Sequence, residues 1–182
     1  MVSRKLKSDQ SKIISAGLLE IYGLGVLILG DSGVGKSESA LELITRGHRF
    51  VSDDVVLVEK TKAGKLRGKA PEVVRNFMEL RGLGLINIRE IFGEKAICPS
   101  IQIDLAINLR RWHRGDEFDR IGLEFPEDYE ILGVKIPQLI IPVAPGRNIA
   151  TLIEIACRVH RLRQKGYLAP QEMVKRLEKK LK

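Results

Sequence analysis

The chain has 182 residues, 44% of them hydrophobic and 30% charged, with a formal net charge of +8. That length fits a single domain with a substantial core. The composition is that of a soluble globular protein, and no apolar run approaches the roughly 20 residues of a membrane helix. Most of the positive charge sits at the two ends: residues 158–182 carry +7 and residues 1–12 carry +3, which leaves −2 for the body between them. A near-neutral body with basic ends argues against a nucleic-acid partner and reads as solvated helix face at the C-terminus. Cys98 and Cys157 both lie in apolar stretches, as expected of reduced core thiols in a cytoplasmic protein.

Residues 1–12 read as a flexible leader without the apolar region of a signal peptide. Ile13 to Ile28 is strand-like, with Gly23 and Gly25 marking a turn between two strands. SESALELITR has helical character, with Ala40, Leu41 and Ile44 on one face and Gly47 as its stop. HRFVSDDVVLVEK reads as one strand, and KTKAGKLRGKA as a hairpin-like polar stretch. EVVRNFMELRGLGLINI combines a short helix or extended segment with a glycine-rich turn. ICPSIQIDLAINLRRW is a strand run that leads into the charged loop HRGDEFDR, and Trp112 at its end is expected in the core, with contact to a partner as the alternative. ILGVKIPQLIIPVAPGRN reads as edge strands because of Pro137 and Pro142. Ile149, Leu152, Ile153, Ala156, Cys157 and His160 form an amphipathic stripe that predicts a helix over 147–164, and Pro170 opens a last helix.

The strongest signal is Gly30-Asp31-Ser32-Gly33-Val34-Gly35-Lys36-Ser37, which fills every fixed position of G-x-x-x-x-G-K-[ST]. An apolar run, Val26 to Leu29, precedes it and a helix-prone segment follows. In that context the backbone N–H groups of the loop face phosphate oxygens and the helix adds its positive end. Lys36 then reaches the outer phosphates of a nucleoside triphosphate such as ATP, and Ser37 holds Mg²⁺. The next signal is Asp53-Asp54. Adjacent residues of one strand point to opposite faces, so the two carboxylates are expected to do different work. One of them faces the phosphates and serves as general base for an incoming hydroxyl. The plain alternative is a strand end with two solvated acids.

Four segments in order, GDSGVGKSESALELITRGHRFVSDD, MELRGLGLINI, EFDRIGL and IPVAPGRNIATLIEIA, make the chain resemble the catalytic domain of HPr kinase/phosphorylase over roughly residues 13–168. The resemblance implies an α/β fold: a P-loop kinase domain of the HPr kinase (PEP carboxykinase-like) type, with a mixed sheet and flanking helices. Residues 169–182 then form a basic C-terminal helix, and nothing in the chain matches the family's N-terminal domain. The implied activity is phosphorylation of the regulatory serine of HPr, the phosphocarrier of the bacterial sugar phosphotransferase system. The implied reverse reaction is phosphorolysis of phospho-HPr by inorganic phosphate to give pyrophosphate.

Carried over residue by residue, Gly30 to Lys36 cradle the phosphates and Ser37 binds Mg²⁺. Asp54 accepts the serine proton, and Asp53 supports the metal or orients Asp54. Glu79 is a second metal-side acid, and Arg120 stabilises the transferring phosphoryl group. Residues 141–146 match a region tied to dephosphorylation, and the family implies a homohexamer. Two departures bear on the chemistry. Ser15-Ala16 stands where the family has His-Gly, and Ala144 stands where an arginine is common; Arg158-Val159 also replaces a common Met-Asn. Other readings are a related kinase acting on another protein, a peptide or a small molecule, and a nucleotide-binding regulator without chemistry.

Overall fold

The apolar run beginning at Gly17 folds back on itself as two antiparallel strands, β2 (Gly17–Ile21) and β3 (Leu24–Gly30), around a two-residue turn at Tyr22 and Gly23. The computed structural model describes residues 10–113, 122 and 125–180. β1 (Ser11–Ser15) precedes this hairpin as a separate strand, so the segment expected to give two strands gives three. The break falls at Ala16, whose N–H donates to the Asp54 carbonyl instead of to a sheet neighbour. Gly25 belongs to β3 and not to the turn. A Cβ there would lie 1.9 Å from the Gln102 carbonyl oxygen, so the glycine permits close contact with the adjacent strand. Gly25→Ala is therefore expected to force β3 away from its neighbour and destabilise the fold by about 1–3 kcal/mol, the usual cost of overpacking. Thermal unfolding of the variant checks this, and an unchanged midpoint would contradict the packing.

The sheet continues with β4 (Arg49–Ser52), β5 (Val55–Lys60), β6 (Leu66–Lys69) and the long β9 (Ile101–Arg111). Its strand order is β1-β5-β6-β9-β3-β2-β4, and β12 (Gln138–Val143) pairs as a branch on β9. β3 and β12 both run parallel to β9, whereas β6 runs antiparallel to it. β2 is antiparallel to both β3 and β4, so β4 points the same way as β3. The carboxyl ends of β3, β4, β9 and β12 therefore meet at one edge of the sheet, the usual place for a ligand in an open α/β architecture. Two small hairpins lie outside the main sheet: β7 (Phe77–Leu80) with β8 (Gly84–Asn87), and β10 (Tyr129–Ile131) with β11 (Val134–Ile136).

Both faces of the central strands are covered, which explains why LGVLILG is apolar at nearly every position. One face sets Leu19, Val26, Ile28, Leu105 and Ile107 against helices α1 (Lys36–Thr45) and α3 (Ile149–Gln164). The other sets Leu18, Leu27, Leu29 and Ala106 against Ile131 and Ile136 of the β10–β11 hairpin. A short helix α2 (Ile88–Phe92) follows β8, capped by the Asn87 side chain. α3 buries Ile153, Cys157 and His160 of the expected stripe, and its N-cap is Asn148. Burial pushes the Cys157 thiol up to about 12, and both cysteines are free. Trp112 is not in the core: it lies one residue beyond β9, past the cover of the sheet, and is 48% exposed.

α1 and α3 are tied by polar contacts around Glu154. His48 Nε2 lies 2.8 Å from Glu154 Oε1, Tyr22 donates to the same oxygen at 3.1 Å, and Arg46 donates to Oε2 at 2.5 Å. Burial raises the Glu154 carboxyl, but hydrogen bonds from His48, Arg46 and Tyr22 outweigh it and hold it below its ordinary value. His48 is thus a structural residue. α4 (Ala169–Lys180) closes the described chain and buries none of its side chains. None of the described helices is long and apolar enough to cross a membrane.

Candidate functional site

β3 ends at Gly30, and the chain then turns through Asp31–Gly35 into α1. The Val34 N–H donates to the Asp31 carbonyl at 3.2 Å, which closes the turn. α1 starts at Lys36 with no side-chain cap, so the N–H groups of its first turn are left for a ligand. Lys36 is buried and crosses the neck of the loop. Its Nζ donates to the Gly30 carbonyl at 2.7 Å and to the Asp31 carbonyl at 3.1 Å. These acceptors hold the ammonium group beside the cleft without neutralising its charge.

The cleft is lined by Ser32, Gly33, Gly35, Lys36, Ser37, Glu38, Asp53, Asp54, Glu79 and Arg81. Six of these come from the loop and the start of α1. Asp53 and Asp54 arrive from β4 because β4 ends at the same sheet edge as β3. Here the structure corrects the sequence expectation. HRFVSDDVVLVEK is two strands, and the aspartates occupy the break between them. The reason is local: Asp54 has φ 59°, a left-handed conformation that no strand interior accommodates. The two carboxylates nevertheless differ in their surroundings. Asp53 is 8% exposed, whereas Asp54 is open to solvent.

The Ser37 hydroxyl lies 3.1 and 3.0 Å from the two carboxylate oxygens of Asp53. Burial pushes the Asp53 carboxyl above its ordinary value, and the nearby Asp54 adds to this. The Ser37 hydroxyl, the Glu79 backbone N–H and the Lys36 charge pull the other way without overcoming it. A buried carboxylate left short of positive charge, touching a hydroxyl at the start of the loop helix, is a donor set that fits Mg²⁺. Glu79, on β7, places its side chain on the cleft wall and its backbone against Asp53. Asp54 is oriented from outside: Ser15 Oγ donates to its Oδ1 at 3.1 Å. The serine found where the resemblance expects a histidine is therefore in contact with the candidate base.

Ala144 follows β12 directly, and the preceding Val143 pairs with Arg111 and accepts the Trp112 N–H at 2.9 Å. Arg147 folds back on its own loop, donating to the Pro142 carbonyl at 2.7 Å. Arg120 lies outside the described residues. Two arginines that sequence reasoning did not single out stand at the phosphate loop. Arg81, at the tip of the β7–β8 hairpin, lines the cleft, and Arg111 donates to the Gly33 carbonyl at 3.0 Å. For Arg81 a signal existed, since it lies within the quoted MELRGLGLINI segment. For Arg111 there was none: only the parallel pairing of β3 and β9 brings the end of one strand over the loop that follows the other.

A mixed sheet covered on one face by helices, with a glycine-rich loop joining its central strand to the first of them, has the architecture of a kinase domain. The family model described as the HPr Serine kinase C-terminal domain matches residues 7–177. The chain belongs to that family. It is 48% identical over 169 residues to the HPr kinase/phosphorylase of Thermoanaerobacter sp. (strain X514), covering 92% of this chain and 55% of the relative. The HPr kinase/phosphorylase of Geobacillus thermodenitrificans is 47% identical over 160 residues, covering 88% of this chain and 52% of the relative. The chain thus spans about half the length of the curated relatives it matches. The solved structure of the Hpr(Ser) kinase/phosphatase from Coxiella burnetii superposes with a TM-score of 0.79 at 35% identity, covering 86% of this chain and 94% of that one.

Proposed function

We propose that the chain transfers the terminal phosphoryl group of ATP to a serine of HPr, and that it also runs the reverse phosphorolysis, more slowly. The observation that carries this reading is the unequal pair Asp53 and Asp54 at the mouth of the phosphate loop. A kinase needs one carboxylate on the metal side and another facing the acceptor. Asp53, buried against Ser37, meets the first need, and Asp54, exposed and held by Ser15, meets the second.

In the forward direction the N–H groups of the loop and of the first turn of α1 bind the phosphates. Lys36 shifts its hydrogen bonds from the Gly30 and Asp31 carbonyls to phosphate oxygens. Ser37 and Asp53 would hold Mg²⁺, with Glu79 nearby; that ion would offset charge on the phosphates when bound. The serine hydroxyl of HPr approaches from the open side and gives its proton to Asp54 as its oxygen bonds to phosphorus, and ADP leaves. In reverse, an oxygen of inorganic phosphate attacks the phosphoserine phosphorus. The serine oxygen takes the proton back from Asp54, and pyrophosphate is released. Arg120 is assigned to the transferring phosphoryl group by family resemblance.

The same resemblance leads us to propose a homo-oligomer, hexameric in the family, in the cytoplasm. Exposed apolar side chains support an assembly: Leu83 and Leu85 on the β7–β8 hairpin, and Met173, Val174 and Leu177 on α4.

Direction is where this chain should differ from its relatives. Phosphorolysis brings inorganic phosphate against a phosphoserine dianion, and two like charges a few ångströms apart repel by several kcal/mol at an effective dielectric near ~20. Ser15 contributes a hydroxyl where the family has a histidine, and Ala144 contributes no charge at the sheet edge. His48 and Arg147 are committed to Glu154 and to the Pro142 carbonyl, so neither replaces them. The expected result is forward transfer to HPr at a clear rate and a slower reverse rate, measured at matched enzyme with phospho-HPr and inorganic phosphate. Ser15→His is expected to raise the reverse rate selectively. Pyrophosphate formation as fast as forward transfer would overturn this preference, and no transfer in either direction would overturn the kinase reading.

A further inference from the structure

Gly33 is an exposed glycine of the phosphate loop with a left-handed backbone. Its φ is 74°, and a Cβ there would meet Arg81 at 3.0 Å and Arg111 at 3.4 Å. A glycine in this position admits the close approach of phosphate, but it also leaves the following peptide plane free to rotate. If the 33–34 peptide turned over, its carbonyl would face the Asp31 carbonyl and the hydrogen bond that closes the turn would be lost.

The structure shows that plane held at both of its polar ends. The Val34 N–H donates to the Asp31 carbonyl at 3.2 Å, and the Gly33 carbonyl accepts from Arg111 Nη2 at 3.0 Å. Arg81 and Arg111 both approach Gly33; Arg81 lines the cleft, and Arg111 is the one that donates to the Gly33 carbonyl. The geometry has a topological cause. Gly30 pairs with Leu109 in the parallel β3–β9 ladder, so β9 runs two residues farther than β3 and its last residue, Arg111, hangs over the loop.

We propose that Arg111 is a positioning residue of the phosphate loop: by holding the Gly33 carbonyl, it keeps the loop in the conformation that binds phosphate. The inference rests on the reading of residues 30–37 as a phosphate loop and does not depend on which acceptor is used. It makes a specific demand. Removing the guanidinium should weaken every ligand that places phosphates in the loop by a similar factor, whether or not the ligand carries a base.

The test is titration calorimetry of the full chain with Mg-ATP and with Mg-pyrophosphate, for wild type, Arg111→Met and Arg111→Lys. Arg111→Met keeps the length and the apolar stem but has no donor. It is expected to bind both ligands about tenfold more weakly, the order of magnitude of a charge-assisted hydrogen bond at a partly exposed site. Arg111→Lys can still donate to the carbonyl and is expected to recover most of the loss. Thermal unfolding midpoints of all three proteins are expected to agree closely, which separates loop positioning from loss of fold. Unchanged affinities in Arg111→Met would overturn the proposal, as would a lysine variant no better than the methionine one. If wild type binds Mg-ATP and Arg111→Met binds it equally well, only the role of Arg111 falls. If wild type binds neither ligand, the phosphate-loop reading falls with it.

Discussion

Lys36→Ala is expected to leave phosphoryl transfer reduced by on the order of 10³-fold, with weaker binding of ATP and an unchanged fold. Lys36 is the one buried ammonium group at the loop among the described residues, and it is held there only by two backbone carbonyls. Those carbonyls are poor partners for a full charge, so phosphate oxygens are the better ones. The transition state spreads negative charge over the oxygens of the moving phosphoryl group, and a fixed cation is worth most at that moment. Alanine removes both the charge and the reach. The loop itself should persist, because its closing hydrogen bond, Val34 to Asp31, does not involve the lysine side chain. Steady-state kinetics with calorimetric ATP binding and circular dichroism check the prediction. Near-normal transfer by the variant would remove the loop from the chemistry.

Asp54→Asn is expected to separate binding from transfer. Asparagine keeps the shape, can still accept from Ser15, and cannot take a proton from a serine hydroxyl. Transfer should fall by roughly 10²–10⁴-fold, the usual worth of a positioned general base, while nucleotide binding changes little. Asp53→Asn should behave differently. Asp53 is buried against the Ser37 hydroxyl, so losing its charge should weaken the Mg²⁺ dependence of binding before it affects the chemical step. The two variants measured side by side give the assignment, through single-turnover rates at saturating Mg-ATP and Mg²⁺ titrations of ATP affinity. A loss of Mg²⁺-dependent binding in Asp54→Asn, with normal turnover of the bound complex, would exchange the two roles.

How much of this was legible in the sequence follows from the range of the forces involved. The turn from β3 into α1 could be read outright, because backbone curvature, the lysine and the hydroxyl are all encoded within eight consecutive residues. The helix after it and the long α3 could be read from apolar spacing alone. The Asp53-Asp54 pair was recognised as chemically special but assigned the wrong backbone. A strand interior and a two-residue break between strands look alike when flanked by Phe50-Val51 and Val55-Val56, and only the positive φ of Asp54 distinguishes them. The contact between Ser15 and Asp54, 39 residues apart, had no local signal. Arg111 was hidden for the same reason, since its meaning depends on how far β9 overruns β3. Trp112 was misplaced because an aromatic residue ending an apolar strand suggests core, whereas here the strand outlasts the layer that covers it.

The proposed reaction is transfer of phosphate from ATP to a serine of HPr, with Asp54 as the base. Its most direct test is the mass spectrum of HPr after incubation with the chain and Mg-ATP, with the phosphate located by peptide mapping. One phosphate on one serine of HPr is expected, none when that serine is replaced by alanine, and much slower labelling with Asp54→Asn at full nucleotide occupancy. HPr left unmodified by wild-type chain that has bound Mg-ATP would contradict it.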